Sequence, residues 1–259
     1  MTQILNIAGY KFIELSDLPA LQASLLARAD RLQIKGTILL SFEGINISLA
    51  GVPEAITAFL TETQTDERFA DMTFRESLSS FQPFERLKVK IKKEIITLRQ
   101  PQIRPEEAAA PAISAQEFQQ WLDQNRDITI LDTRNDYEMQ FGTFRNAVNL
   151  HMKDFSEFPQ VIDQVPRDKP IVMFCTGGIR CEKAALVMQE AGFPEVYQLE
   201  GGILKYFAET GGKHYEGECF VFDQRVAVDV NLQPAGTKQC VTCQGPIKQP
   251  ADSCVSCNN

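Results

Sequence analysis

Apolar positions divide the first hundred residues into short blocks. Tyr10 to Leu15 predicts a strand. Ser16 predicts the cap of a helix over about Asp17 to Gln33, with Pro19 in its first turn. Gly36 to Ser41 predicts a second strand, and Glu43-Gly44 a turn. Ile45, Ile47 and Leu49 then alternate along a third strand. Pro53 to about Thr63 predicts a second helix, and Met72 to Glu76 a fourth strand. In Arg86-Leu-Lys-Val-Lys-Ile-Lys-Lys93 the apolar residues Leu87, Val89 and Ile91 fall on one face. Arg86, Lys88, Lys90 and Lys92 fall on the other.

The order β-α-β-β-α-β over residues 1–100 predicts an α+β domain of the ferredoxin-like, split βαβ type. Residues 101–112, rich in Pro, Glu and Ala, read as a linker. Ser114 with Glu117 forms a capping-box pattern that opens a helix through Trp121 and Leu122. A βα-rich domain over 113–211 follows, then a segment of different character over 212–259 in which Phe220 to Val226 reads as a strand.

The most chemically informative stretch is Ile171-Val-Met-Phe-Cys175-Thr-Gly-Gly-Ile-Arg180-Cys181-Glu-Lys-Ala. Four apolar residues predict a buried strand that Cys175 closes. Gly177 and Gly178 let the backbone curl, and a helical run to Ala191 follows, ending at Gly192. A thiol in a ring of backbone N–H groups at a helix N-terminus has its thiolate stabilised and its pKa lowered. An inert core cysteine needs no such open loop beside it. Cys181 reads in two ways: a thiol placed to resolve an oxidised Cys175 as a disulfide, or a small buried residue in the first helical turn.

Composition narrows the functions open to this chain. Net charge is −8, so bulk electrostatic attraction to nucleic acid is absent and any such contact needs a local patch. The strand 86–93 supplies one, with five positive and no negative charges in eight residues. It reads either as a solvated strand face or as a nucleic-acid contact. No apolar run of about 18 residues predicts a membrane span, and the first residues lack the basic and apolar regions of a signal segment. No Gly-x-Gly-x-x-Gly or Walker loop is present, so no nucleotide cofactor is indicated. Two isolated histidines, His151 and His214, argue against a two-His iron site or a Ser-His-Asp triad. Seven cysteines, one in a reactive loop, fit a reducing cytoplasm. Four of them form paired knuckles, Cys240-x-x-Cys243 and Cys254-x-x-Cys257. That spacing suits a tetrahedral structural zinc site, against the alternative of unligated tail thiols.

Three blocks in order resemble the rhodanese domain: Asp132-Thr-Arg134 through Tyr137-Glu138 to Gly142-Thr143, the six-residue loop Cys175, Thr176, Gly177, Gly178, Ile179, Arg180, and Glu200-Gly-Gly-Ile203. The resemblance implies a doubly wound parallel sheet with Cys175 as the reactive residue. Thr143 departs from it, since many rhodaneses carry histidine there. Related phosphatases have a loop one residue longer, which disfavours phosphatase chemistry. With Glu43-Gly-Ile-Asn46, Pro83-Phe84, Phe220-Val-Phe-Asp223 and Arg225, and the tail cysteine pairs, nearly the whole chain resembles the bacterial rhodanese-domain tRNA uridine hydroxylases. That implies formation of 5-hydroxyuridine at the tRNA wobble position, with molecular oxygen as co-substrate. The competing expectation is a sulfurtransferase or sulfur carrier working through a Cys175 persulfide.

Overall fold

The computed structural model describes residues 3–247 together with Cys254 and Cys257. The chain divides into two compact units at Thr97/Leu98. The first contains β1 (Ile4–Phe12), α1 (Leu18–Arg31), β2 (Lys35–Ser41), β3 (Gly44–Gly51), α2 (Pro53–Gln64), β4 (Arg75–Ser79) and β5 (Leu87–Ile91). Its sheet runs β4-β1-β3-β2-β5. The first four strands are mutually antiparallel neighbours, with β3 between β1 and β2 as the split βαβ pattern requires. β5 is an addition at one edge, parallel to β2.

Alternation explains the core. Ile7 pairs with Leu49, and Ile38 with Ile47. These four side chains sit on the face that buries Leu21, Leu25, Ile56 and Phe59 of the two helices. Strand β1 starts at Ile4, well before the predicted Tyr10. Asn6 obscures its alternation, but that buried amide donates to the Ser77 carbonyl and Ser79 Oγ and so costs little. β4 starts at Arg75, later than the expected Met72. Asp17, not Ser16, occupies the N-cap of α1, and its side chain makes no cap bond; Pro19 stands in the first turn.

The second unit contains β6 (Ala112–Ile113), α3 (Ala115–Asp123), β7 (Thr129–Asp132), α4 (Asp136–Met139), β8 (Gly142–Phe144), β9 (Val148–Asn149), α5 (Phe158–Val161), β10 (Ile171–Phe174), α6 (Ile179–Glu190), β11 (Val196–Leu199) and α7 (Gly202–Thr210). Short pairs follow: β12 (Tyr215–Gly217), β13 (Cys219–Phe220), β14 (Ala227–Val228), β15 (Lys238–Gln239) and β16 (Pro246–Ile247). The main sheet is wholly parallel in the order β6-β11-β10-β7-β9. Val172 and Phe174 join Phe118 and Trp121 of α3 and Tyr206 and Phe207 of α7 in one core. Ile171 and Met173, buried on the opposite face, lie on the side of α6. Ser114 caps α3 as predicted, its Oγ accepting from the Glu117 N–H at 3.2 Å.

Two expectations differ here. Residues 101–112, read as a linker, belong to the second unit. Ile103 and Ala110 are buried, and Ala112 pairs with Gln198. Polar composition hides those few anchoring apolar residues. The strand expected over Phe220 to Val226 is instead a tight hairpin, because Val226 adopts φ 63° and turns the chain back.

Gly44 is the backbone position on which the first sheet depends. Its φ is +146°, and a Cβ there would lie 2.1 Å from the Lys11 carbonyl oxygen. Gly44→Ala is expected to destabilise the first unit by about 2–3 kcal/mol, measured by denaturant unfolding. Unchanged stability would show that this β1–β3 register is not rigid.

Candidate active site and cysteine cluster

Strand β10 ends between β7 and β11, where the strand order reverses and chain connections diverge; open parallel sheets place ligands at such points. Cys175 follows the last residue of β10 and is 1% exposed. Gly178 takes φ +100° and starts α6. Its N–H points back to the Cys175 Sγ at 3.1 Å. The loop of Thr176, Gly177, Gly178, Ile179 and Arg180 therefore curls around the sulfur as the sequence predicts.

What holds the curl was not legible in the loop itself. The first turn of α7 donates to the loop from outside: Ile203 N–H to the Cys175 carbonyl at 3.0 Å, and Leu204 N–H to the Thr176 carbonyl at 3.1 Å. Gly202 makes this approach feasible. With φ +65°, a Cβ on it would stand 2.4 Å from the Cys175 carbonyl oxygen and 2.9 Å from the Gly178 nitrogen. The signal was present as the pair Gly201-Gly202, two glycines between a strand and a helix. Its partner in space lies a whole βα unit earlier in the chain.

Two buried ion pairs frame the loop. Arg180 meets Glu138 in a bidentate pair at 2.6 and 2.9 Å, with side chains 6% and 0% exposed. Arg134 pairs with Asp132 at 2.6 Å and also donates to the Gly142 carbonyl at 2.7 Å. Thr143 donates to the same Asp132 at 2.8 Å. The residue that departs from the usual histidine is thus part of a hydrogen-bonded structural network.

Electrostatics set the state of the thiol. Burial pushes Cys175 up, but the Cys181 thiol, the Arg180 charge and the N–H groups of Arg180 and Gly178 outweigh it and hold it well below an ordinary thiol. Cys181 moves the other way. Burial and the neighbouring Cys175 raise it, and its sulfur lies 3.6 Å from Thr133 Oγ1. Cys219, also buried, is pushed up to about 12 by desolvation. Of the three core thiols, Cys175 alone is shifted toward the thiolate; Cys181 and Cys219 are shifted toward the neutral thiol.

The remaining candidates fall into two groups. In the first unit, Lys88 is half-buried and Arg86, Lys90 and Lys92 are exposed. Leu87 and Val89 pack toward the core, so Lys88 and Lys90 project from the opposite sheet face. The same face carries Asn46, Tyr10 and Arg75 by register, with the Arg75 guanidinium 5.6 Å from the Tyr10 ring centroid. Glu43 and Asn46 serve the fold by tying down the chain after β5. Glu43 accepts from the Ile95 N–H at 2.7 Å, and Asn46 donates to the Ile95 carbonyl at 3.3 Å. In the tail, the Sγ atoms of Cys240, Cys243, Cys254 and Cys257 all lie within 4.8 Å of one another. The closest pairs are 3.5 Å (Cys240–Cys257) and 3.4 Å (Cys243–Cys254). A tetrahedral zinc with bonds of about 2.3 Å needs sulfurs about 3.8 Å apart, so the donor set fits one metal ion. The N–H groups of Cys243 and Thr242 already pull the Cys240 thiol down to about 6. Residues 248–253, which join the knuckles, lie outside the described residues.

A parallel sheet with a reactive cysteine in a six-residue loop at its carboxyl edge defines a rhodanese-type domain. Residues 114–209 match the rhodanese-like domain, and residues 4–95 match the UPF0176 acylphosphatase like domain. A tRNA uridine(34) hydroxylase of Cupriavidus pinatubonensis is 52% identical over 253 residues, covering 95% of this chain and 90% of the relative. One from Thiobacillus denitrificans is 54% identical over 241 residues, covering 90% and 97%. A crystal structure of a rhodanese-related protein from Thermoplasma volcanium aligns with 39% of this chain and 94% of its own, at 26% identity and a TM-score of 0.35. The chain belongs to the tRNA uridine(34) hydroxylase family.

The lowered Cys175 fixes a sign. As pH falls through its depressed pKa the thiolate is protonated and reactivity is lost. Above that point, and well below the free-thiol range, reactivity is full. Iodoacetamide should therefore alkylate Cys175 before Cys181 and Cys219 at pH 7. Gly202→Ala should slow that alkylation at least about tenfold by breaking the loop geometry. Mass spectrometry of tryptic peptides reads both; an ordinary thiol titration curve for Cys175 would overturn the assignment.

Proposed function

We propose that this chain hydroxylates C5 of the wobble uridine of tRNA, with molecular oxygen as co-substrate and Cys175 as the catalytic residue. The observation that carries the reading is a buried loop thiol that accepts from the Gly178 N–H at 3.1 Å and has its pKa held down, in a chain of this family. Uracil C6 is electrophilic. Thiolate addition there moves electron density to C5, the carbon that meets oxygen. Elimination of the thiolate afterwards restores the ring double bond. One oxygen atom enters the C5–H bond, and the other leaves as water with two electrons and two protons from a thiol-class reductant. In this reading Cys181, the neighbouring thiol that helps lower the Cys175 pKa, resolves an oxidised form of it as a disulfide.

Sulfur transfer through a Cys175 persulfide is the competing reading, and the Glu138–Arg180 pair counts against it. Common sulfur donors such as thiosulfate are anions. The single cation of this loop is already bound in a bidentate pair with a buried carboxylate. A neutral pyrimidine needs no such charge.

The basic strand supplies the tRNA contact, with Arg86, Lys88, Lys90 and Lys92 meeting phosphates beside the Tyr10 and Asn46 face. A cytoplasmic, reducing setting keeps the loop thiols available. Cys175→Ser should fold normally and leave no measurable 5-hydroxyuridine, while Lys88→Glu with Lys90→Glu should weaken tRNA binding about tenfold or more and reduce its salt slope by about two. Nucleoside mass spectrometry and filter binding at graded salt read these outcomes. Hydroxylation by the serine variant sinks the cysteine reading; unchanged affinity returns the strand to a solvated face.

The four tail thiols hold one zinc ion, which staples the end of the chain as a structural site. Purified protein should contain about one zinc per chain, and chelation should loosen residues after Gly236 more than the parallel-sheet core. Elemental analysis with hydrogen exchange measures both. Metal-free protein with four freely titrating tail thiols would remove the site.

A further inference from the structure

Phe222 stands where a soluble protein would not leave a large apolar ring without cause. It is 64% exposed, while Phe220 and Val221 before it are buried. Of the described large apolar residues with high exposure, Leu26, Phe42, Val52, Phe81 and Ile91 lie in the first unit, and Val241 in the tail. Phe222 stands beside the cysteine loop. The Arg180 guanidinium is 5.9 Å from its ring centroid, and Thr176 Oγ1 donates to the Phe220 carbonyl at 3.5 Å.

The ring is also held still. It packs edge-to-face on Phe220 at 5.2 Å, which in turn packs edge-to-face on Tyr137 at 5.3 Å. The hairpin tip behind it is closed by Val221 N–H to the Val226 carbonyl, and by Val226 N–H to the Asp223 carbonyl, both at 2.9 Å. Asp223 receives the backbone N–H of Arg225 at 2.9 Å and its guanidinium at 2.5 Å, with side chains 5% and 8% exposed. Val226 is forced to φ 63°, a costly conformation for a β-branched residue. A strained, ion-paired turn thus presents one exposed aromatic ring beside Arg180 of the cysteine loop.

We infer that Phe222 is a stacking platform for the pyrimidine that Cys175 attacks. The inference rests on the hydroxylase reading above and adds the means by which a base of a single-stranded loop is captured. Cys175 is 1% exposed and cannot meet a base that stays stacked in the anticodon loop. A base that leaves that stack needs a flat apolar partner, and an aromatic side chain provides one for any nucleobase. Beyond Gly177 the space is open, since a Cβ added there meets nothing within 4 Å. The base can enter over that glycine with one face on Phe222.

Two measurements on the full-length protein test this. In steady-state hydroxylation of tRNA, Phe222→Ala and Phe222→Leu should lower kcat/KM about 10- to 100-fold, the scale of one lost base–aromatic stack. Phe222→Tyr should stay within about threefold of the wild type. Affinity for whole tRNA, set by phosphates, and the alkylation rate of Cys175 should be unchanged, since a structural defect would move them. In the second measurement, an anticodon stem–loop with 2-aminopurine at the wobble position should change fluorescence on binding the wild type and the Tyr variant. It should show no such change with the Leu variant. Wild-type activity in Phe222→Leu, or Phe222→Tyr as impaired as Phe222→Ala, overturns the platform. Wild type that leaves wobble uridine unmodified overturns the hydroxylase reading instead. The fluorescence then decides Phe222 by itself: an equal response in wild type and Phe222→Leu rejects it.

Discussion

The two hydrogen bonds from the start of α7 to the carbonyls of Cys175 and Thr176 are the constraint on which the cysteine-loop unit turns. By fixing two successive carbonyls from outside, α7 pins the start of the loop. The N–H groups further along it, at Gly178 and Arg180, turn back toward the sulfur and hold its pKa down despite its burial. The cost is steric and falls on Gly202, which has no side chain to give up. The loop is therefore built by contact between two βα junctions of the sheet, and neither makes it alone.

The ion pairs around it work differently. Glu138 and Arg180 are both removed from water, so their attraction first offsets a desolvation cost. Removing one partner would strand the other at about 3–5 kcal/mol. Their value to the site is positional. Arg180 is locked with its charge satisfied, close enough to favour the thiolate and beside the Phe222 ring. The Asp132–Arg134 pair does the same for the turn after β7, where Thr143 joins the carboxylate.

The cysteine loop was legible because its signals are local: four apolar residues, a cysteine, two glycines and a helical run occur within one stretch of chain. The grouping of the four tail thiols and the split βαβ order were legible for the same reason. The support from Gly202, the Glu138–Arg180 pairing and the place of Phe222 were not, since each depends on residues far apart in the chain. The errors have causes of the same kind. The first strand was expected only from Tyr10, and the partners that satisfy its buried Asn6, Ser77 and Ser79, are on another strand. Residues 220–226 looked like a strand because a valine with positive φ leaves no mark in composition. Segment 101–112 looked like a linker because its strand partner, β11, comes near the other end of the same domain.

The lysine strand has one more consequence, apart from any ligand. β5 closes the sheet at one edge, so its outer row of backbone donors and acceptors faces away from the sheet. A flat edge of alternating Leu, Val and Ile would recruit a strand from another molecule and seed aggregates. The intervening lysines make such pairing bring like charges face to face. The residues that give β5 its cationic face thereby also disfavour edge-to-edge pairing, and substitutions that neutralise them without replacing the charge remove that repulsion.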